Sequence, residues 1–256
     1  MIDLHTHILP DIDDGSPSLA VSLDLARVAV EDGITTVVAT PHSPDSTVGG
    51  RYAVSLLNER LELLRQALEA EQIPLTLVRG TEITIGPKLV ERLRAGELLP
   101  YENTRVLLIE CPSHYLNEPV HNAIFSLQAA GYRVLLAHPE RLHDVQSDPE
   151  VLRPLVERGV MMQLTGAAIA GEQNDQLGRT SHELLKRGLV HVVASDGHGF
   201  PPRRRIVLKT SYEATAQVIG EEAAHALCTS NPAALLADKP LPPPPPIVLA
   251  KKRWFW

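Results

Sequence analysis

Short apolar runs alternate along the chain with longer stretches whose apolar residues recur at helical spacing. The runs fall at 2–5, 35–39, 75–79, 105–109, 133–137, 160–164 and 191–194. Their length predicts strands. Between them, 19–31, 54–70, 87–95, 120–130, 149–158 and 176–187 carry the period of amphipathic helices. Ser16 or Ser18 stands where the first helix needs a cap, and Gly33, Gly131, Gly159 and Gly188 stand where helices should stop. Seven β-then-α units in a row predict an α/β fold with parallel strands, closed into a barrel or doubly wound. Beyond Gly199 the pattern becomes helical, at 210–219, at 221–228 and in a short piece after Asn231-Pro232. The chain then runs through PLPPPPP to KKRWFW. We divide it into a domain at 1–237 and a tail at 238–256, with the prolines in an extended polyproline II segment.

Composition narrows the function. A length of 256 residues, 44% of them hydrophobic, suits one α/β domain with a large core. The formal charge of −7 disfavours nucleic acid as a partner. Bound divalent cations would reverse that sign locally, so an anionic substrate is compatible with it. The two cysteines, Cys111 and Cys228, do not make a disulfide framework. No basic-then-apolar leader opens the sequence, and no apolar stretch approaches the ~20 residues that span a bilayer, so the expected location is the cytoplasm.

The chemistry lies at the ends of the predicted strands. His5 and His7 close the first and His42 follows the second. Glu82 follows the third, Glu110 ends the fourth, His138 ends the fifth, and Asp196 and His198 end the seventh. Parallel α/β folds build their sites on that face. Mixed imidazole and carboxylate ligands suit manganese, iron or zinc. The set exceeds the needs of one cation, which predicts at least two. Two cations roughly 3.5–4 Å apart can clamp the oxygens of a phosphoryl group. His114, His121, His143, His182, His191 and His225 lack this placement and are expected to be surface or structural residues.

MIDLHTHILPDIDDG, TPH at 40–42, GTE at 80–82, IE at 109–110, HPER at 138–141 and SDGH at 195–198 together resemble the PHP (polymerase and histidinol phosphatase) superfamily. The HxHILxxxDDG opening and HPER look most like the manganese-dependent tyrosine-protein phosphatases of bacterial capsule and exopolysaccharide clusters. The resemblance covers about residues 1–235. It implies a distorted seven-stranded (β/α) barrel, TIM-like, with a helical C-terminal segment, and three divalent metal ions, commonly manganese. By matching position, His5, His7, Glu82 and Asp196 would hold the first metal. Glu82 would bridge to a second, completed by Glu110 and His138. Asp14, His42 and His198 would hold the third. Arg141 and Arg203 match arginines that contact the substrate phosphate, with Arg204 and Arg205 beside the second. Gly199 departs from the asparagine usual at that place.

The implied reaction is hydrolysis of phosphotyrosine in protein by metal-activated hydroxide, with a bacterial tyrosine kinase as the expected substrate. A cysteine mechanism lacks its motif, since Asn117 and Ala234 stand where Cys-x5-Arg would need arginine. The rival readings are a small-molecule phosphatase such as histidinol-phosphate phosphatase, a phosphodiesterase, and a non-catalytic metal-binding regulatory protein. In the tail, Lys251-Lys252-Arg253 precede Trp254, Phe255 and Trp256. This pairing suits peripheral contact with an anionic membrane. The alternative is packing of the rings on the barrel or on a neighbouring subunit of a homo-oligomer.

Overall fold

All seven apolar runs form strands in the computed structural model, which describes residues 1–44, 46, 52–201 and 204–242. The strands β1 (Ile2–Thr6), β2 (Thr36–Ala39) and β3 (Thr76–Arg79) make a parallel sheet in that order. A second parallel sheet runs β4 (Glu82–Thr84), β5 (Val106–Glu110), β6 (Arg133–Ala137), β7 (Met161–Thr165) and β8 (Val192–Ala194). Alternate residues serve two cores. Val106, Leu108, Leu135 and Val192 join one apolar cluster, and Leu107, Ile109, Val134, Leu136 and Val193 join another with the helices. A sheet covered on both faces needs continuous apolar runs such as VLLI, which is why these strands show no polar alternation.

The described helices are α1 (Leu19–Glu31), α2 (Val54–Ala70), α3 (Leu89–Arg94), α4 (Glu118–Ala129), α5 (His143–Ser147) and α6 (Arg153–Glu157), followed by α7 (Gly166–Ile169), α8 (Asp175–Lys186), α9 (Lys209–Ile219), α10 (Glu221–His225) and α11 (Asn231–Leu236). Ser18 caps α1, accepting from Val21 N, while Ser16 is drawn inward and its amide donates to His7 O at 3.1 Å. Gly33 and Gly131 leave α1 and α4 at φ of 88° and 84°, a backbone that side chains resist. The helix expected over 149–158 divides into a 3-10 turn at Pro149–Leu152 and α6. The C-terminal helical segment is present, with a π-turn at Ala226–Ser230 between α10 and α11.

The third run departs from expectation. The run itself forms β3, which pairs with β2, and it is followed by an eighth strand that the apolar pattern does not predict, β4, which pairs with β5. The step falls at Gly80, where a Cβ would stand 2.8 Å from both Tyr101 Cδ1 and Val38 Cγ1. Tyr101 is fully buried and donates its hydroxyl to Leu4 O at 2.8 Å. Single bridges join the two sheets outside the named strands. Thr6 pairs with Gly197, with His7 N donating to Gly197 O at 2.8 Å, and His42 pairs with Glu82. These bridges draw the ends of β1 and β8, and of β2 and β4, toward one place.

Candidate metal centre

The nine side chains that the resemblance makes ligands converge there. Their donor atoms form four groups, each with all atoms within 4.8 Å of one another. The groups are His7, Asp14, His42 and His198; His5, His7 and Asp196; His5, Glu82 and His138; and His42, Glu82 and Glu110. His5, His7, His42 and Glu82 each belong to two of them, so the four merge into one nest. The partition differs in detail from the expected three sets. His7 stands with the Asp14 group as well as with Asp196, and Glu110 groups with His42. Two of the nine positions lie in left-handed backbone, His138 at φ 36° and Asp196 at φ 51°. Non-glycine residues pay energy to sit there, and such conformations concentrate at functional sites.

The donor atoms fit a shared cation better than they fit one another. His5 Nε2 and His7 Nε2 face each other at 3.3 Å. Glu82 Oε2 lies 3.3, 3.4 and 3.0 Å from nitrogens of His5, His7 and His42. Ligands sharing one cation through bonds of about 2.0–2.2 Å stand roughly 3–3.5 Å apart. Asp14 Oδ1, His42 Nδ1 and Glu82 Oε2 are buried and make no well-aligned hydrogen bond. Orphaned polar atoms of this kind are costly unless something else satisfies them.

Charge supports the same reading. Burial pushes the Glu82 carboxyl up, but His5, His138 and His42 pull it well below the usual range. Burial likewise opposes Asp196, which Arg141, His5 and Arg204 hold well below it. Glu110 is pushed up to about 7 by burial and by the charge of Glu82. His138 falls to about 4 through burial and Arg141, and His198 to about 3 through burial and His7. Against their burial, Glu82 and Asp196 raise His5, and Asp13 and Glu82 raise His7. Protons are thus favoured on His5 and His7, and a cation binding there would displace them.

Around the nest, Arg141 donates from Nη2 to Asp196 Oδ2 and to Thr165 Oγ1. Arg203, expected beside it, lies outside the described residues. Arg204 stands at the site, with Nη2 2.9 Å from Asp196 Oδ2 and Nε 2.9 Å from Asp196 O. Asp13 and Gln163, which the strand-end pattern passes over, touch the outer nitrogens of His7 and His5. His191 is structural, with Met162 N donating to its Nδ1 at 3.1 Å, whereas His114 and His143 are exposed. Both cysteines are free, and burial pushes each thiol up to about 12, which removes them as nucleophiles.

A family model for capsular polysaccharide synthesis, CpsB/CapC, matches residues 1–237. The chain belongs to the CpsB/CapC family. Among its relatives, the tyrosine-protein phosphatase YwqE of Bacillus subtilis is 37% identical over 203 residues, covering 79% of each chain. The tyrosine-protein phosphatase CpsB of Streptococcus pneumoniae is 27% identical over 247 residues, 93% of this chain and 99% of its own. A crystal structure from the pair YwqE of Bacillus subtilis and CpsB of Streptococcus pneumoniae, described as unique metal-dependent tyrosine phosphatases, superposes with a TM-score of 0.88 at 34% identity. That match covers 96% of this CpsB/CapC chain and 99% of the other. The mixed α/β architecture with parallel sheets is therefore the family's. No helix among the described residues is long and apolar enough to cross a membrane.

Proposed function

We propose that this CpsB/CapC protein is a metal-dependent phosphatase that hydrolyses phosphotyrosine in protein. The observation that carries the reading is the nest itself, nine donor side chains merged through His5, His7, His42 and Glu82, with two arginines at Asp196. Its ligands are His5, His7, Glu82 and Asp196 for one cation, Glu82, Glu110 and His138 for a second, and Asp14, His42 and His198 for a third. Manganese is the metal we favour, and imidazole with carboxylate also suits iron or zinc. When bound, such cations supply an activated water and neutralise phosphoryl charge.

The chain's own residues do the rest. Arg141 offers a planar guanidinium to the phosphate oxygens, Arg204 stands beside it at Asp196, and Arg203 takes the same role by its match to the family's arginine. No phosphoenzyme is needed, because the nucleophile that bound cations would supply is water.

The same reading closes the two sheets into a distorted (β/α) barrel through the Thr6–Gly197 and His42–Glu82 bridges. It takes 1–237 as the phosphatase unit and 238–256 as a tail, and a bacterial tyrosine kinase as the physiological substrate. Turnover of a phosphotyrosine peptide, histidinol phosphate and a phosphodiester, compared side by side with manganese, tests it. The peptide should have the highest kcat/KM, and a preference for histidinol phosphate would move the protein to small-molecule chemistry.

A further inference from the structure

We propose that Asp13 is a positioning residue that presents His7 and His42 to the cation nest, a role distinct from the ligand role of its neighbour Asp14. The proposal rests on the ligand assignment above. Asp13 Oδ2 lies 2.7 Å from His7 Nδ1, and both side chains are fully enclosed. A carboxylate oxygen only accepts, so Nδ1 carries the proton and the lone pair is left on Nε2. That nitrogen faces Glu82 Oε2 at 3.4 Å and Asp196 Oδ1 at 3.6 Å. The same Oδ2 accepts from the backbone amide of His42 at 3.1 Å. One carboxylate oxygen thus fixes the ring of one ligand and the backbone of another. Oδ1 accepts from Gly15 N at 2.9 Å, which alone would explain a turn. The Oδ2 contacts reach beyond the turn to a residue 29 positions away, and a turn does not require them.

The loop's path serves the same end. From Ile8 to Ser16 the chain folds back over His7, with Ser16 N donating to His7 O at 3.1 Å. At Gly15 a Cβ would stand 2.2 Å from His7 O, so only glycine permits the approach. His5 offers an internal comparison. Its Nδ1 meets Gln163 Oε1 at 2.9 Å, a neutral acceptor. His7 has an anionic acceptor instead, which makes its ring the stronger donor to a cation. Asp13→Asn converts the His7 partner to the neutral kind with little change of shape.

The test is calorimetric titration of Mn2+ into chelator-stripped full-length protein, wild type against Asp13→Asn, together with thermal unfolding of both in chelator. Outer partners of metal-bound histidines typically contribute about 10–100-fold in affinity. We expect a loss of that size for Asp13→Asn, with little change in the chelated melting temperature. Equal Mn2+ affinity in the two proteins overturns the proposal, even if the variant melts earlier, because that result describes a turn residue. If the variant does not fold, nitrogen-resolved NMR of zinc-loaded wild type decides. His7 should hold its proton on Nδ1, and a proton on Nε2 overturns the proposal. Wild-type protein that binds no divalent metal would sink the ligand assignment and this proposal together.

Discussion

Arg141 is held by Asp196 and Thr165, one a proposed ligand and the other the last residue of β7. Replacing it with alanine removes the proposed phosphate donor and none of the nine proposed ligands. Arg141→Ala should lower kcat/KM about 10²-fold, the scale for one lost transition-state donor, with metal content by elemental analysis unchanged. Wild-type kinetics would return Arg141 to the ordinary surface. His191 carries a pH prediction. Burial lowers it from 6.5 to about 4 in the fold. A depressed pKa means that the unfolded chain binds the proton first. The stability tied to neutral His191 is therefore complete above about pH 6.5 and is lost as pH falls toward 4, a difference of about 3 kcal/mol. Denaturant unfolding between pH 7 and 4.5 should show a shallower decline for His191→Gln than for wild type. At this scale the sequence pointed to eight of the nine side chains that converge, because imidazole and carboxylate at successive strand ends form a chemical pattern along the chain, while Asp14 was marked by the resemblance alone. Asp13, Gln163 and Arg204 were not legible in the same way. Their meaning depends on what they touch, and Gln163 meets His5 across 158 positions.

Among the elements, the strands were legible because burial on both faces demands unbroken apolar runs. The break between β3 and β4 was not. Glu82, Ile83 and Thr84 are too few to register as a strand, and the first of them is a proposed ligand. What forces the step is the packing of Gly80 against Tyr101 and Val38, a contact between residues far apart in sequence. Gly80→Ala should cost about 1–3 kcal/mol, the usual penalty of overpacking. Thermal unfolding would read this as a drop of several degrees, and an unchanged melting temperature would show that Tyr101 can move aside. The π-turn at Ala226–Ser230 was equally invisible, since nothing in ALCTS marks a helix that widens.

Across the whole molecule, the cation nest adds stability by mass action. A ligand at about a hundred times its dissociation constant contributes about 2.7 kcal/mol. For a chain of this size that is roughly 5–10 °C, so chelation should lower the melting temperature by that amount and Mn2+ should restore it. An identical melting curve with and without chelator would separate metal binding from the fold. The tail is a second question at this scale. Lys251 to Trp256 lie outside the described residues, and the peripheral-membrane reading stands on their sequence. Sedimentation with anionic vesicles should show salt-sensitive binding that disappears when 251–256 are removed. If truncation leaves sedimentation unchanged and lowers stability, the tail is a packing element.

The nest also has an order in time. Its donors run from His5 to His198, so the first to be synthesised wait for the last. While the chain is still on the ribosome, His5, His7, Asp14 and His42 emerge early, but Asp196 and His198 do not exist until about three quarters of the protein has been made. Until then the two groups that contain Asp196 or His198 stay incomplete. A chain that stops short of His198 therefore lacks part of the nest. The nest is whole only when β1 and β8 have met.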